Sequence, residues 1–115
     1  MSATRDHLAD LLSGYYGGSG FRVERRPDGT VAGHGFGGVT WIGLPVVRSD
    51  LDDPAFPDRL RALSEVRMPT GELCPLELLP DDACGDDLRA LLVDLHLSDR
   101  GHVQVYTVVS SSPRT

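Results

Sequence analysis

The sequence predicts an α+β domain, a single antiparallel or mixed sheet of three to five strands packed with about three helices in the order α-β-β-β-α-(β)-α-β. Three observations predict it. Apolar residues recur at helical spacing near the N-terminus, around residues 56–66 and again over 88–95. Segments rich in β-branched and aromatic residues lie between them, and a Pro-Asp-Gly turn joins the first two of these segments closely enough for a hairpin.

The first helix rests on Leu8, Leu11, Leu12 and Tyr15, with Thr4 as its N-cap and Asp6 in the first turn. Gly14 and then Gly17, Gly18 and Gly20 are expected to stop it. Phe21 to Arg26 reads as a strand. Pro27-Asp28-Gly29 follows, in which proline presets φ, aspartate bonds the backbone ahead and glycine accepts positive φ. A second strand begins at Thr30, and Val39 to Val47 forms a further one, kinked or edge-located near Pro45. Asp52-Asp53-Pro54 has the form of an N-cap with proline at the first helical position, although Pro57 delays the regular helix carrying Phe56, Leu60, Leu63 and Val66. Three prolines make Met68 to Pro80 mostly loop, with Leu76 to Leu79 as a short edge strand. Asp86-Asp87 opens a helix whose stripe is Leu88, Leu91, Leu92 and Leu95; the acidic pair suits the helix dipole and favours helix over strand for this segment. His102 to Val109 is the clearest strand.

A chain of 115 residues, 40% hydrophobic and 24% charged, is expected to be one domain over 1–109 with a polar tail over 110–115. The net charge of -6 argues against a general nucleic-acid binder, and the short cluster Arg22, Arg25, Arg26 is interrupted by Glu24. No apolar run reaches the length of a membrane span, and the polar N-terminus has no apolar signal region behind it. The reading is cytoplasmic, with Cys74 and Cys84 as reduced thiols. Lysine and asparagine are absent, a bias that points to a GC-rich, bacterial coding sequence. The lack of lysine excludes Schiff-base chemistry, a pyridoxal-phosphate anchor and the P-loop lysine.

Gly33, Gly35 and Gly38 form a literal G-x-G-x-x-G. A phosphate loop needs a helix directly after its glycines, whereas Val39-Thr40-Trp41-Ile42 continues as strand. Residues 31–42 are therefore expected to run extended, with Gly33, Gly35 and Gly37 on one face admitting a packed helix, and His34 and Phe36 on the other.

The reactive side chains offer few patterns. Cys74 and Cys84 are separated by nine residues, too far for the tight turn of a structural zinc site, although His96 and His102 are spaced more suitably; no metal and no cofactor is expected. Cys84 precedes a helix, but the surrounding Asp81, Asp82, Asp86 and Asp87 disfavour a thiolate. The aspartate pairs themselves read as helix caps. His34, His102 and Asp94 are the acid–base candidates, and the two imidazoles share a cleft with Tyr106 or Asp94 if their strands are neighbours.

The preferred function is a non-catalytic protein-binding or regulatory accessory module, of the immunity-protein, chaperone or subunit kind. It would use a sheet edge and an acidic, aromatic surface to which Tyr15, Tyr16, Phe36 and Trp41 contribute anchors if exposed. Its partner is a protein, and self-association is open. The alternative is a small enzyme or ligand-binding protein with a small-molecule pocket beside the glycine strand, His34 and His102 transferring protons and Arg48 or Arg100 holding an anion.

Overall fold

A computed structural model describes residues 3–107. The expected tail, and Val108 and Val109 of the expected last strand, lie outside the described residues. Helix α1 (Ala3–Gly18) is followed by strands β1 (Arg22–Arg25), β2 (Val31–His34) and β3 (Thr40–Val46), helices α2 (Arg48–Leu51) and α3 (Phe56–Ser64), strand β4 (Leu76–Pro80), helix α4 (Gly85–Asp94) and strand β5 (Val103–Val105). The five strands form one mixed sheet in sequential order, β1-β2-β3-β4-β5. The first three are antiparallel neighbours, whereas β3, β4 and β5 run parallel. This is the α+β domain the sequence predicts, with four described helices because Arg48–Leu51 adds a single turn.

Helices cover both faces of the sheet. On one face, Leu8, Ala9, Leu12 and Tyr16 of α1 pack with Val31, Val47 and Leu79. On the other, Phe56 and Leu60 of α3 and Leu88 and Leu92 of α4 pack on Ile42, Leu44, Val46, Leu76, Leu78 and Val103. The two β-α-β crossovers place α3 and α4 on the same side, as parallel neighbours require long connections.

The hairpin turn forms as its residue types dictate. Asp28 Oδ1 accepts hydrogen bonds from the Thr30 amide at 2.9 Å and the Thr30 hydroxyl at 2.7 Å, and Gly29 has φ +93°. Burial raises the Asp28 carboxyl, but these Thr30 hydrogen bonds and the nearby Arg59 and Arg26 charges outweigh it and leave the group below its ordinary range.

Four expectations are corrected. Helix α1 runs through Gly14 and Gly17 because its other face packs on the sheet, and it turns off only where Gly20 adopts φ +90° and the Phe21 amide donates to the Tyr16 carbonyl. Its buried stripe is Leu8, Leu12 and Tyr16, while Leu11 and Tyr15 face outward. Asp52 ends α2, and Asp53 accepts from the Ala55 amide instead of capping α3. Strand β4 is an inner strand, with every residue buried, between β3 and β5.

The glycine stretch is also not continuous strand. A single 3-10 turn, Phe36–Gly38, separates β2 from β3, with Gly37 and Gly38 at φ +69° and +83°. Gly33 does admit a helix: a Cβ there would lie 2.9 Å from Phe21 Cδ2 and 3.0 Å from Tyr16 Cγ. Gly43, which pairs with Val31, plays the same part toward Leu12 and the Tyr16 hydroxyl.

Candidate functional site

The chemistry of the molecule concentrates around a glutamate that sequence reasoning passed over. Glu77 sits in β4 and is only 3% exposed. Its Oε1 accepts the Tyr16 hydroxyl at 2.5 Å, and its Oε2 accepts the Tyr106 hydroxyl at 2.6 Å. Helix α1 delivers Tyr16 from above the sheet, with the gaps at Gly33 and Gly43 making room for its ring and hydroxyl. Tyr106 follows β5, where its amide donates to the Leu78 carbonyl and carries the ladder one residue further.

Burial raises both phenols above the ordinary tyrosine value, reinforced by the hydrogen bond to Glu77 and its charge. They remain protonated donors, and two donors to one carboxylate satisfy a group that is otherwise costly to bury.

Five of the chain's seven aromatic rings gather here. Phe21 and Trp41 meet edge to face at 4.9 Å, Trp41 stands 6.3 Å from Tyr16, and Tyr15 bridges toward Tyr106 at 6.2 Å. Helix α1 covers β1 to β3 and reaches β4, so on this face the sheet is left uncovered toward β5. An open cleft of about 450 Å³ results, lined by Trp41, Glu77, His102, Gln104 and Tyr106 with Pro75 and Gly101.

The sequence-named residues fall in separate places. His34 is on β2 and His102 precedes β5, with β3 and β4 between them, so the two imidazoles do not share a cleft. His34 Nε2 lies 2.8 Å from Glu24 Oε1, and that hydrogen bond holds the exposed Glu24 carboxyl below its ordinary value. His102 does line the cleft with Tyr106, but its Nε2 is 2.6 Å from the Ser64 carbonyl oxygen and must carry the proton there. Asp94 is exposed at the end of α4. Tyr16 is fully buried and cannot anchor a partner, Trp41 is half-buried, and Phe36 projects from the β2–β3 turn at 99% exposure. Arg48 is committed to Asp87 at 2.7 Å.

Cys74 and Cys84 are both buried free thiols. Burial, the Asp81 hydrogen bond and the Asp81 charge push Cys84 up to about 11, the direction the surrounding aspartates predict. Among the described residues, no group of three or more His, Cys, Asp or Glu converges to hold a metal ion, and no helix is long and apolar enough to cross a membrane.

These groups make alkaline stability a test. Cys84, Tyr16 and Tyr106 all hold their protons more tightly folded than unfolded. Their contribution is complete below the unfolded values, about 8.5 for cysteine and about 10 for tyrosine, and is lost as pH rises through the folded ones. The thermal midpoint should therefore hold to about pH 8 and fall steadily toward pH 11. Calorimetry of Cys84→Ser, which removes one titrating group, should give a shallower fall.

The fold and this cleft define a small α+β domain with an open mixed sheet. Comparison with protein-family models, curated proteins and solved structures gives no match.

Proposed function

We propose that this protein is a non-catalytic protein-binding module of the cytoplasm that takes an extended segment of a partner along the outer edge of β5. The observation that carries the reading is a groove of about 520 Å³ beside that edge, lined by Val103, Gln104 and Val105 of β5, Leu92 and Val93 of α4, and Arg100. A sheet edge with an apolar helix face beside it is the geometry of strand addition, in which main-chain bonds give affinity and side-chain pockets give selectivity.

The two edges of the sheet differ. Edge strand β1 is Arg22-Val23-Glu24-Arg25, a charged run of the kind that discourages pairing, with Arg25 also tied to Asp10 at 2.6 Å. Strand β5 carries no charge, and Val93 beside it is 59% exposed. The β5 ladder supplies a suitable donor. His102 and Tyr106 bond inward to β4, so by alternation the Val105 amide faces outward. Net charge favours a basic partner, but in the lining Arg89 and Arg100 outnumber Asp99 and favour an acidic residue in the bound segment, and local charge governs register. Phe36, exposed on its glycine-flanked turn, adds an aromatic anchor elsewhere on the surface.

The test is selection of displayed random peptides against the purified protein. Enriched sequences should alternate apolar residues and include an acidic one. Val105→Pro, which removes the outward amide, and Val93→Asp, which charges the helix side, should each weaken binding by about tenfold or more while circular dichroism stays native. Selected peptides that bind both variants as they bind the wild type would refute the reading.

A further inference from the structure

We infer that the cleft over β4 and β5 is a binding site for a small organic cation of the alkylammonium class, held by the Glu77 carboxylate and the Trp41 and Tyr106 rings. This site opens on the opposite sheet face from the β5–α4 groove and shares only Gly101 and Gln104 with it; its ligand contacts, Glu77, Trp41 and Tyr106, lie outside that groove.

Glu77 is buried, and both of its oxygens are met by neutral hydroxyls. No arginine or histidine stands within 4.0 Å of it among the described residues, although seven other carboxylate pairs form in the molecule. Tyrosine donors satisfy its lone pairs but leave its net charge uncompensated, and low-dielectric surroundings extend that field into the cleft. The remaining lining suits the same ligand. Trp41 and Tyr106 supply aromatic rings, whose faces attract a desolvated cation, while Pro75, Gly101 and Gln104 add no charge. His102 is the one other titratable group in the lining, and its Nε2 proton is directed to Ser64. The overall charge of -6 further concentrates cations at the surface. A volume of about 450 Å³ admits a quaternary ammonium with a short chain.

The probe is choline, with 3,3-dimethylbutan-1-ol as its neutral isostere. Trp41 is the only tryptophan, so its emission reports the cleft directly. At pH 8 choline should shift that emission saturably, and the neutral isostere at the same concentrations should leave it unchanged. Gln104 is exposed, lines the cleft and pairs in register with Glu77, so its substitutions leave the fold intact while changing the local charge. Gln104→Glu should tighten choline binding at least about threefold, and Gln104→Arg, a resident competing cation, should weaken it more than about tenfold. Glu77→Gln should abolish the response; if that variant loses its fold, the Gln104 pair decides. A response to the isostere equal to that of choline, no response to choline, or wild-type binding by Gln104→Arg overturns the assignment.

Discussion

Glu77→Leu should lower the unfolding free energy by about 2–4 kcal/mol, although leucine nearly matches glutamate in size. The loss does not come from packing. It comes from two tyrosine hydroxyls that donate to this one carboxylate and find no acceptor once it is gone. Tyr16 is fully buried and bears most of the cost, about 1–3 kcal/mol for an orphaned buried donor; Tyr106, half-buried at the cleft, can turn to water. The opposing term is relief from burying a charge, which for an all-apolar replacement is often neutral or favourable. The triple variant Tyr16→Phe, Glu77→Leu, Tyr106→Phe should therefore recover most of the stability that Glu77→Leu loses. Urea denaturation of the single, double and triple variants measures the coupling. If Glu77→Leu is as stable as wild type, the three residues do not act as a unit.

Gly33→Ala should destabilise the protein by about 2–3 kcal/mol through overpacking, whereas Gly14→Ala should stabilise it by about 0.5–1 kcal/mol. The added methyl is the same in both. At Gly33 it would meet the Phe21 ring at 2.9 Å and Tyr16 Cγ at 3.0 Å. Cγ lies next to the helix backbone, and the far end of that ring is held by Glu77, so Tyr16 has no direction in which to yield. At Gly14 nothing lies within 4 Å, and alanine only reduces the freedom of the unfolded chain inside a helix. Equal effects of the two substitutions in thermal or urea melts would remove the packing explanation for Gly33. The opposite signs separate a glycine required by its neighbours from one that is merely tolerated.

The same contrast shows which parts of the fold were legible. Helix α4 was readable because Leu88, Leu91, Leu92 and Leu95 repeat along one face and Asp86 and Asp87 suit its first turn. The Asp28 turn was readable because its hydrogen bonds reach only two residues ahead. The α1 stripe was legible at Leu8 and Leu12 but not at its end, since Tyr15 and Tyr16 are identical in kind and only the sheet decides which of them turns inward. Strand β4 was misplaced to the edge because the three prolines between Met68 and Pro80 read as loop, while the partners that hold its glutamate inside the sheet are 61 and 29 residues away. That lone acid inside Leu76-Glu77-Leu78-Leu79 was nevertheless the one available signal of the site, since a charge placed among leucines requires partners from elsewhere.

The sequence by itself determined the local matters: α+β composition, the hairpin turn, the amphipathic helices and the exclusion of lysine chemistry, all of which follow from side chains within a few residues of one another. Only the tertiary structure decided that His34 and His102 stand apart, that two tyrosines from opposite ends of the chain close on Glu77, and that α1 stops short of β5. Those outcomes depend on strand order and on which helix covers which strand. Both are set by the summed burial of distant surfaces, a quantity that no short stretch of residues contains.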